Sequence, residues 1–455
     1  MMRNFQMTEK EINSKAFQLI SLLSPIKNQP NLNKAKSELI GSAKERGFLD
    51  WSGKLIDYGI VERSINHADE PTTICISIDN KKYGFNEANY NLFKALIEDI
   101  LLTEYFKNKV SFKFIERKAF DWIIEIHSSK IARNSILDFL KDEYLGSIRE
   151  YLFHFPVLNL EIDTHFKIGN VEFTYFTKDF FENLYNDLQN DESQSITKKD
   201  FETIFSKEYK GQVLAKICVK SEKEFAQTVA QTEAALSVDI LKIYGLTTTI
   251  PEKRTMFDLN YRLNYQMKFN YLSEEVGKKG SLSETLKFNT PPFCITLQQL
   301  AFANNNGLQT FSNFVILKKN DELYNLIIQG INLLASSLSN WDLHLRVINL
   351  ITILESLLLK DEEDNDMERK VKARLSKIIT NDFKEKEKLK ILFTNIYQIR
   401  HKMVHKAIKL SINTKELITA QITIINLLLK LIQFNVVEKY ALKAALIEKL
   451  NEIKS

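Results

Sequence analysis

Residues 397–407 gather Arg400, His401, Lys402, His405 and Lys406 behind Tyr397, so a guanidinium, two imidazoles and two ammonium groups crowd one short stretch. Histidine titrates near neutrality and can take or give a proton. Arginine grips phosphate through a planar fork of N–H donors. RNA cleavage without a metal needs such groups: a base for the 2′-hydroxyl proton, a cation for the charge that builds on phosphorus, and an acid for the leaving 5′-oxygen. One His405 cannot be base and acid in the same turnover step. Two copies across a two-fold axis divide the roles, which predicts a homodimer. Five positions separate Arg400 from His405, about 140° on an ideal helix. Either the helix loosens near Val404, or the two side chains address the substrate from different directions. The plainer reading is a helix C-terminus whose basic residues complement the macrodipole.

His401 and His405 have the spacing of two zinc ligands, yet a metalloprotease helix would carry Glu where Lys402 stands, and no third ligand is close in sequence. No metal and no cofactor are expected. Cys75, Cys218 and Cys294 are too few and too scattered for a disulfide framework or a CxxC site, which fits a reducing, cytoplasmic setting.

The charge is local. The net is +4, but Arg369 to Lys409 hold 13 Lys or Arg against 3 Asp or Glu, a net of +10 that leaves −6 for the remainder. A basic field around the 397–407 stretch favours a polyanionic partner. Lys370, Lys372, Lys402 and Lys406 are the candidate phosphate contacts. Lys384, Lys386, Lys388 and Lys390 read equally well as a solvated helix face.

The elements that must position these groups are helices. Apolar periodicity predicts them over 323–338, 343–359, 368–379, 385–404 and 415–440, with short polar joints, an up-and-down bundle. The greasy stretch from Leu417 to Val437 carries Thr419, Thr423, Asn426, Lys430 and Gln433 as one stripe and reads as a bundle helix, not a membrane span. The N-terminus lacks the apolar core of a signal peptide. Upstream the chain reads as α+β. A helical segment spans 8–45, and strands are expected at 55–63, 73–78, 110–115, 122–126, 157–162, 171–175 and 212–219, with a helix at 91–106. Residues 223–244 predict a helix whose Ala226, Ala230, Ala234 and Ser237 admit close approach of another helix, and 260–317 reads as strand and loop. The organisation expected is an N-terminal α+β region over 1–220 with a sensor or regulatory role, a connecting segment over 221–320, and a C-terminal helical bundle over 321–455. Glu355 shares a face with Ile348, Ile351, Leu358 and Leu359, so its carboxylate needs a partner. Arg374 is the cation available on the next helix, and a structural ion pair is the expectation.

Residues 341–358 and 370–375, with Glu355 and Arg374, followed by Arg400, His401 and His405, resemble the HEPN superfamily and within it the Apea-like branch. The resemblance covers 322–437. It implies a metal-independent endoribonuclease that works as a dimer and leaves 2′,3′-cyclic phosphate ends, with Arg400 and His405 catalytic, His401 assisting, and Glu355 and Arg374 supporting. It also implies a toxin or abortive-infection effector of bacterial antiphage defence, answering a trigger of phage origin and cutting tRNA, mRNA or rRNA. Ala407 stands where a related branch carries a nucleotidyl-accepting tyrosine, which speaks against that role. The rival is a non-catalytic dimeric adaptor that binds RNA or protein. Neither a P-loop nor a Gly-rich fingerprint supports a nucleotide sensor. The lone histidines His67, His127, His154, His165 and His344 read as structural.

Overall fold

The computed structural model describes residues 7–25, 62–65, 71–78, 81–129, 135–175, 182, 199, 202–203, 211–253, 255–262, 268–273, 281–286, 292–363 and 365–452. Sheets occupy the N-terminal part and a run of helices the C-terminal part, the α+β architecture expected. The chain divides into two compact units, one of residues 1–153, 178–205 and 218–230, the other of 154–177, 206–217 and 231–455.

In the first unit, α1 (Glu9–Leu22) opens on a capping box. Thr8 accepts from the Glu11 N–H at 3.3 Å and Glu11 accepts from the Thr8 N–H at 2.8 Å, which satisfies two donors that a helix start leaves open. The remainder of the 8–45 expectation, beyond residue 25, lies outside the described residues, as does nearly all of the strand expected at 55–63 and His67. Strands β1 (Ser24–Pro25), β2 (Glu62–Ile65), β3 (Pro71–Ile78) and β4 (Lys81–Phe85) form an antiparallel sheet in the order β1-β4-β3-β2. Helix α2 (Glu87–Leu101) covers most of the helix expected at 91–106.

The strands expected at 110–115 and 122–126 are not strands: both segments fall largely in one helix, α3 (Phe112–Ser129). Its buried residues Phe114, Ile115, Ala119, Phe120, Trp122 and Ile123 mark one helical face. The polar–apolar alternation over 111–117 spans under two turns, too short to separate a period of 2 from one of 3.6. Ser111 Oγ accepts from the Phe114 N–H at 3.1 Å, which supplies a start. Phe93, Ile97 and Phe120 share the core of this unit with Leu140 of α4 (Ile136–Ser147).

The other expected strands appear as β5 (Arg149–Leu158), β6 (Leu160–Ile162), β8 (Val171–Tyr175) and β9 (Val213–Ser221). With β7 (Phe166–Ile168) and β10 (Asp258–Leu259) they give a five-stranded sheet in the order β10-β5-β9-β8-β7, from which β6 stands apart. Helix α5 (Lys223–Ile243) carries the predicted stripe of small residues, but what comes close in the second unit is a strand. Ser237 Oγ donates to the Ile168 carbonyl of β7 at 3.1 Å. Behind it, Lys242 lies 2.5 Å from Asp258 and 3.3 Å from Asp239, and Arg262 lies 2.9 Å from Asp239, so two cations and two carboxylates balance.

Between 260 and 317 the strand-and-loop expectation holds only in part. A hairpin of β11 (Lys268–Ser273) and β12 (Ser281–Leu286) and a short β13 (Phe293–Ile295), parallel to β6, are followed by two helices, α6 (Leu297–Asn305) and α7 (Leu308–Ile316). Each has 9 residues, too few turns for a clear period, though the Thr296–Gln299 capping box was a usable start signal.

The bundle helices follow their predicted bounds closely: α8 (Glu322–Leu338), α9 (Leu343–Leu358), α10 (Met367–Ile379), α11 (Phe383–Lys406) and α12 (Thr414–Val436). A further helix, α13 (Lys443–Glu452), is not among those predicted from periodicity. Asp321, Asp342, Asp382 and Asn413 cap four of these helices through side-chain oxygens. Helix α12 is long and apolar enough to cross a membrane by length and composition. It packs against α8, α9, α10 and α11, burying Leu417, Ile424, Leu428 and Leu431, as a bundle helix would.

A candidate active-site cleft on helix α11

Helix α11 runs unbroken for 24 residues to Lys406. Loosening near Val404 does not occur, so Arg400 and His405 leave the helix in different directions. In its first turns Lys388 and Lys390 lie 2.8 and 2.7 Å from Glu385 and Glu387, which removes half of the lysine run from the basic field. The helix ends in a Schellman-type turn: Ala407 and Ile408 donate to the carbonyls of Met403 and Lys402, both at 3.1 Å. Ala407 fills the left-handed position, at φ 53°, that glycine would occupy at less cost.

The segment leaving this turn is tied to the start of α9. His344 donates from Nε2 to the Leu410 carbonyl at 2.8 Å, and Lys409 pairs with Asp342 at 2.8 Å. That lysine, with help from the His344 backbone N–H, holds the Asp342 carboxyl down to about 2. His344 is thus structural, as expected for a lone histidine.

A cleft of about 520 Å³ opens where the end of α9, the start of α10 and the last turns of α11 meet. Glu355, Glu368, Lys372, Tyr397, Arg400 and His401 line it, with Asp366, Arg369 and Lys402 at its sides. Three carboxylates face three cations: Asp366 lies 2.7 Å from Arg369, Glu368 2.6 Å from Lys372, and Glu355 3.7 Å from Arg400. Among these groups Lys402 is the positive charge left over. Lys372 also donates to Thr394 Oγ1 at 2.6 Å, and Lys370 lies 3.7 Å from Glu363, so two of the four candidate phosphate lysines are already engaged. Lys406 is exposed.

The expected Glu355–Arg374 pair is not formed. Arg374 is 4% exposed and makes a bidentate contact with Glu363, at 2.5 and 2.8 Å, plus a bond to the Leu358 carbonyl at 2.7 Å. Its hydrogen bonds hold the Glu363 carboxyl down to about 2. Glu363 sits in the acidic joint between predicted helices, eight positions past Glu355. The side of α10 that carries Arg374 meets that joint.

Glu355 instead faces Arg400 and Tyr397. Its Oε1 and the Tyr397 hydroxyl are both buried without a hydrogen-bond partner. Burial, and next the Glu355 charge, raise the phenol's pKa. The bundle's arginines differ sharply. Arg346, 0% exposed, donates to the carbonyls of Asn340, Pro251 and Lys253. Arg374 is equally occupied, whereas Arg400, among the described residues, donates no hydrogen bond at all.

The two histidine rings stand 4.9 Å apart between centroids, tilted by 47°. His401 lines the cleft and His405 does not; both are exposed. Among the described residues no three His, Cys, Asp or Glu side chains are placed to hold a metal ion. The cleft therefore joins Arg400 and His401 with Glu355, and leaves His405 outside and Arg374 behind the wall. Tyr397 was missed as a site residue, although three positions before Arg400 it had to share that face. No family model, no curated protein and no solved structure matches this chain.

Proposed function

We propose that the chain is a metal-independent endoribonuclease of HEPN type. Arg400 binds the scissile phosphate, and His401 and His405 handle protons. The observation that carries this reading is the unsaturated guanidinium of Arg400. A half-buried arginine that donates no hydrogen bond among the described residues, beside a carboxylate and lining a cleft, is a ready phosphate ligand. Lys402, which makes no ion pair among the described residues, adds its ammonium at the same cleft. Homodimerisation and a role in bacterial antiphage defence, with the N-terminal part as the sensor of a phage-derived trigger, belong to the same proposal and rest on the sequence resemblance.

A second reading, a non-catalytic dimeric adaptor, is favoured by one observation: His405 lies outside the cleft that holds Arg400. RNA digestion in EDTA separates the two. The enzyme should cut total RNA to fragments ending in 2′,3′-cyclic phosphate, with Arg400→Ala and His405→Ala each losing activity. Cleavage unchanged from wild type in both variants, or a strict metal requirement, sinks the nuclease; RNA binding without turnover supports the adaptor.

A further inference from the structure

We infer that Glu355 is the general base of the cleavage, so that a single chain holds base, phosphate ligand and acid in one cleft; this rests on the nuclease reading above. The pairing of Glu355 with Arg400 differs in kind from the structural pair beside it. Arg374 and Glu363 interlock through two hydrogen bonds, at 2.5 and 2.8 Å. Glu355 Oε2 and Arg400 stop at 3.7 Å, beyond hydrogen-bond reach, and neither side chain is spent on the other. The Glu355 side chain is 20% exposed. With Oε1 buried, Oε2 is the oxygen left for a ligand.

That spacing suits the reaction. A phosphate oxygen on Arg400 sits about 2.8 Å from the guanidinium. The ribose 2′-oxygen next to that phosphate then falls within about 3 Å of a carboxylate placed beside the guanidinium. Glu355 Oε2 takes the proton as the O2′–H bond breaks, and the freed pair forms the O2′–P bond. The P–O5′ bond breaks, its pair stays on O5′, and that oxygen takes a proton from an imidazolium, that of His401 in the cleft or of its neighbour His405 outside it. The products are a 2′,3′-cyclic phosphate and a 5′-hydroxyl, and solvent resets both protons. No second copy is then needed to divide the proton roles, because histidine keeps only the acid's.

The test uses the full chain in EDTA. The bond that it cuts in total RNA is remade in a synthetic oligonucleotide with either oxygen or sulfur as the 5′-leaving atom, since a thiolate leaves without an acid. Glu355→Gln should lower the rate by about 10²–10⁴-fold on both substrates, while the losses of His401→Asn and His405→Asn should shrink on the sulfur substrate. Glu355→Ala should recover activity in added formate, a readout that a merely structural carboxylate would not give, and Glu355→Asp should keep part of it. Glu355→Gln within fivefold of wild type, or a loss that sulfur relieves, overturns Glu355 as base and leaves the nuclease reading standing. No cleavage by the wild-type chain overturns both.

Discussion

Glu363→Gln should destabilise the protein more than Glu355→Gln, although the two glutamates lie on consecutive segments of the same bundle. Arg374 is 4% exposed and spends two donors on Glu363. Breaking a buried pair by removing one partner costs about 3–5 kcal/mol, because the other charge stays behind. Glu363 is 18% exposed, and glutamine keeps one acceptor oxygen, so the expected loss is about 2–3 kcal/mol. Glu355 stands 3.7 Å from Arg400 with no bidentate contact like that of Glu363, so its isosteric amide should cost about 1 kcal/mol or less. Urea unfolding followed by circular dichroism at neutral pH measures both. The acid limb gives an independent check. Arg374 keeps the Glu363 carboxyl at about 2 in place of its usual 4.5. A depressed carboxyl stabilises fully above its unfolded value, and that contribution fades as the pH falls from about 4.5 through about 2. Glu363→Gln should flatten stability over that window. Equal losses in the two variants, or an unchanged acid limb in Glu363→Gln, would refute the assignment of Glu363 as the partner of Arg374.

The same geometry sets three other outcomes. Ala407→Gly should raise the unfolding free energy by up to about 1 kcal/mol, since glycine bears the left-handed turn without a Cβ clash; a lower urea midpoint would contradict it. Arg346→Met removes bonds to three carbonyls and should cost about 3 kcal/mol or more by the same measurement, whereas a surface arginine would cost almost nothing. In RNA digestion, Arg400→Lys should remain well below wild type, because an ammonium cannot reproduce a bidentate fork on phosphate; full activity would argue that only charge matters at the site.

The bundle is legible because its helices carry apolar periodicity over many turns, which places α8 to α12 nearly to the residue at most ends. Helix α3 was read as strands because Ser111 to Arg117 alternates, and six or seven residues cannot reveal which period the next turn will keep. Helical geometry narrowed Arg400 and His405 to a loosened helix or divergent side chains, and the unbroken α11 decides for divergence. What could not be read was the choice among basic partners for Glu355. Arg374 and Arg400 both lay on neighbouring helices, and only the way α9, α10 and α11 cross decides that one meets the acidic joint and the other the cleft.

The two compact units are each discontinuous in sequence, with 154–177 and 206–217 grouped with the C-terminal helices and 218–230 with the N-terminal part. No single cut in the backbone separates them. A bundle excised at residue 321 would leave β6, β7, β8 and β10 of its own unit behind, with the parts of β5 and β9 that belong to it. Recombination that swaps the front of this chain for another must therefore carry the central strands along, or rebuild the surface they leave bare. A cassette boundary placed by length alone falls inside the first unit at 220 and inside the second at 320.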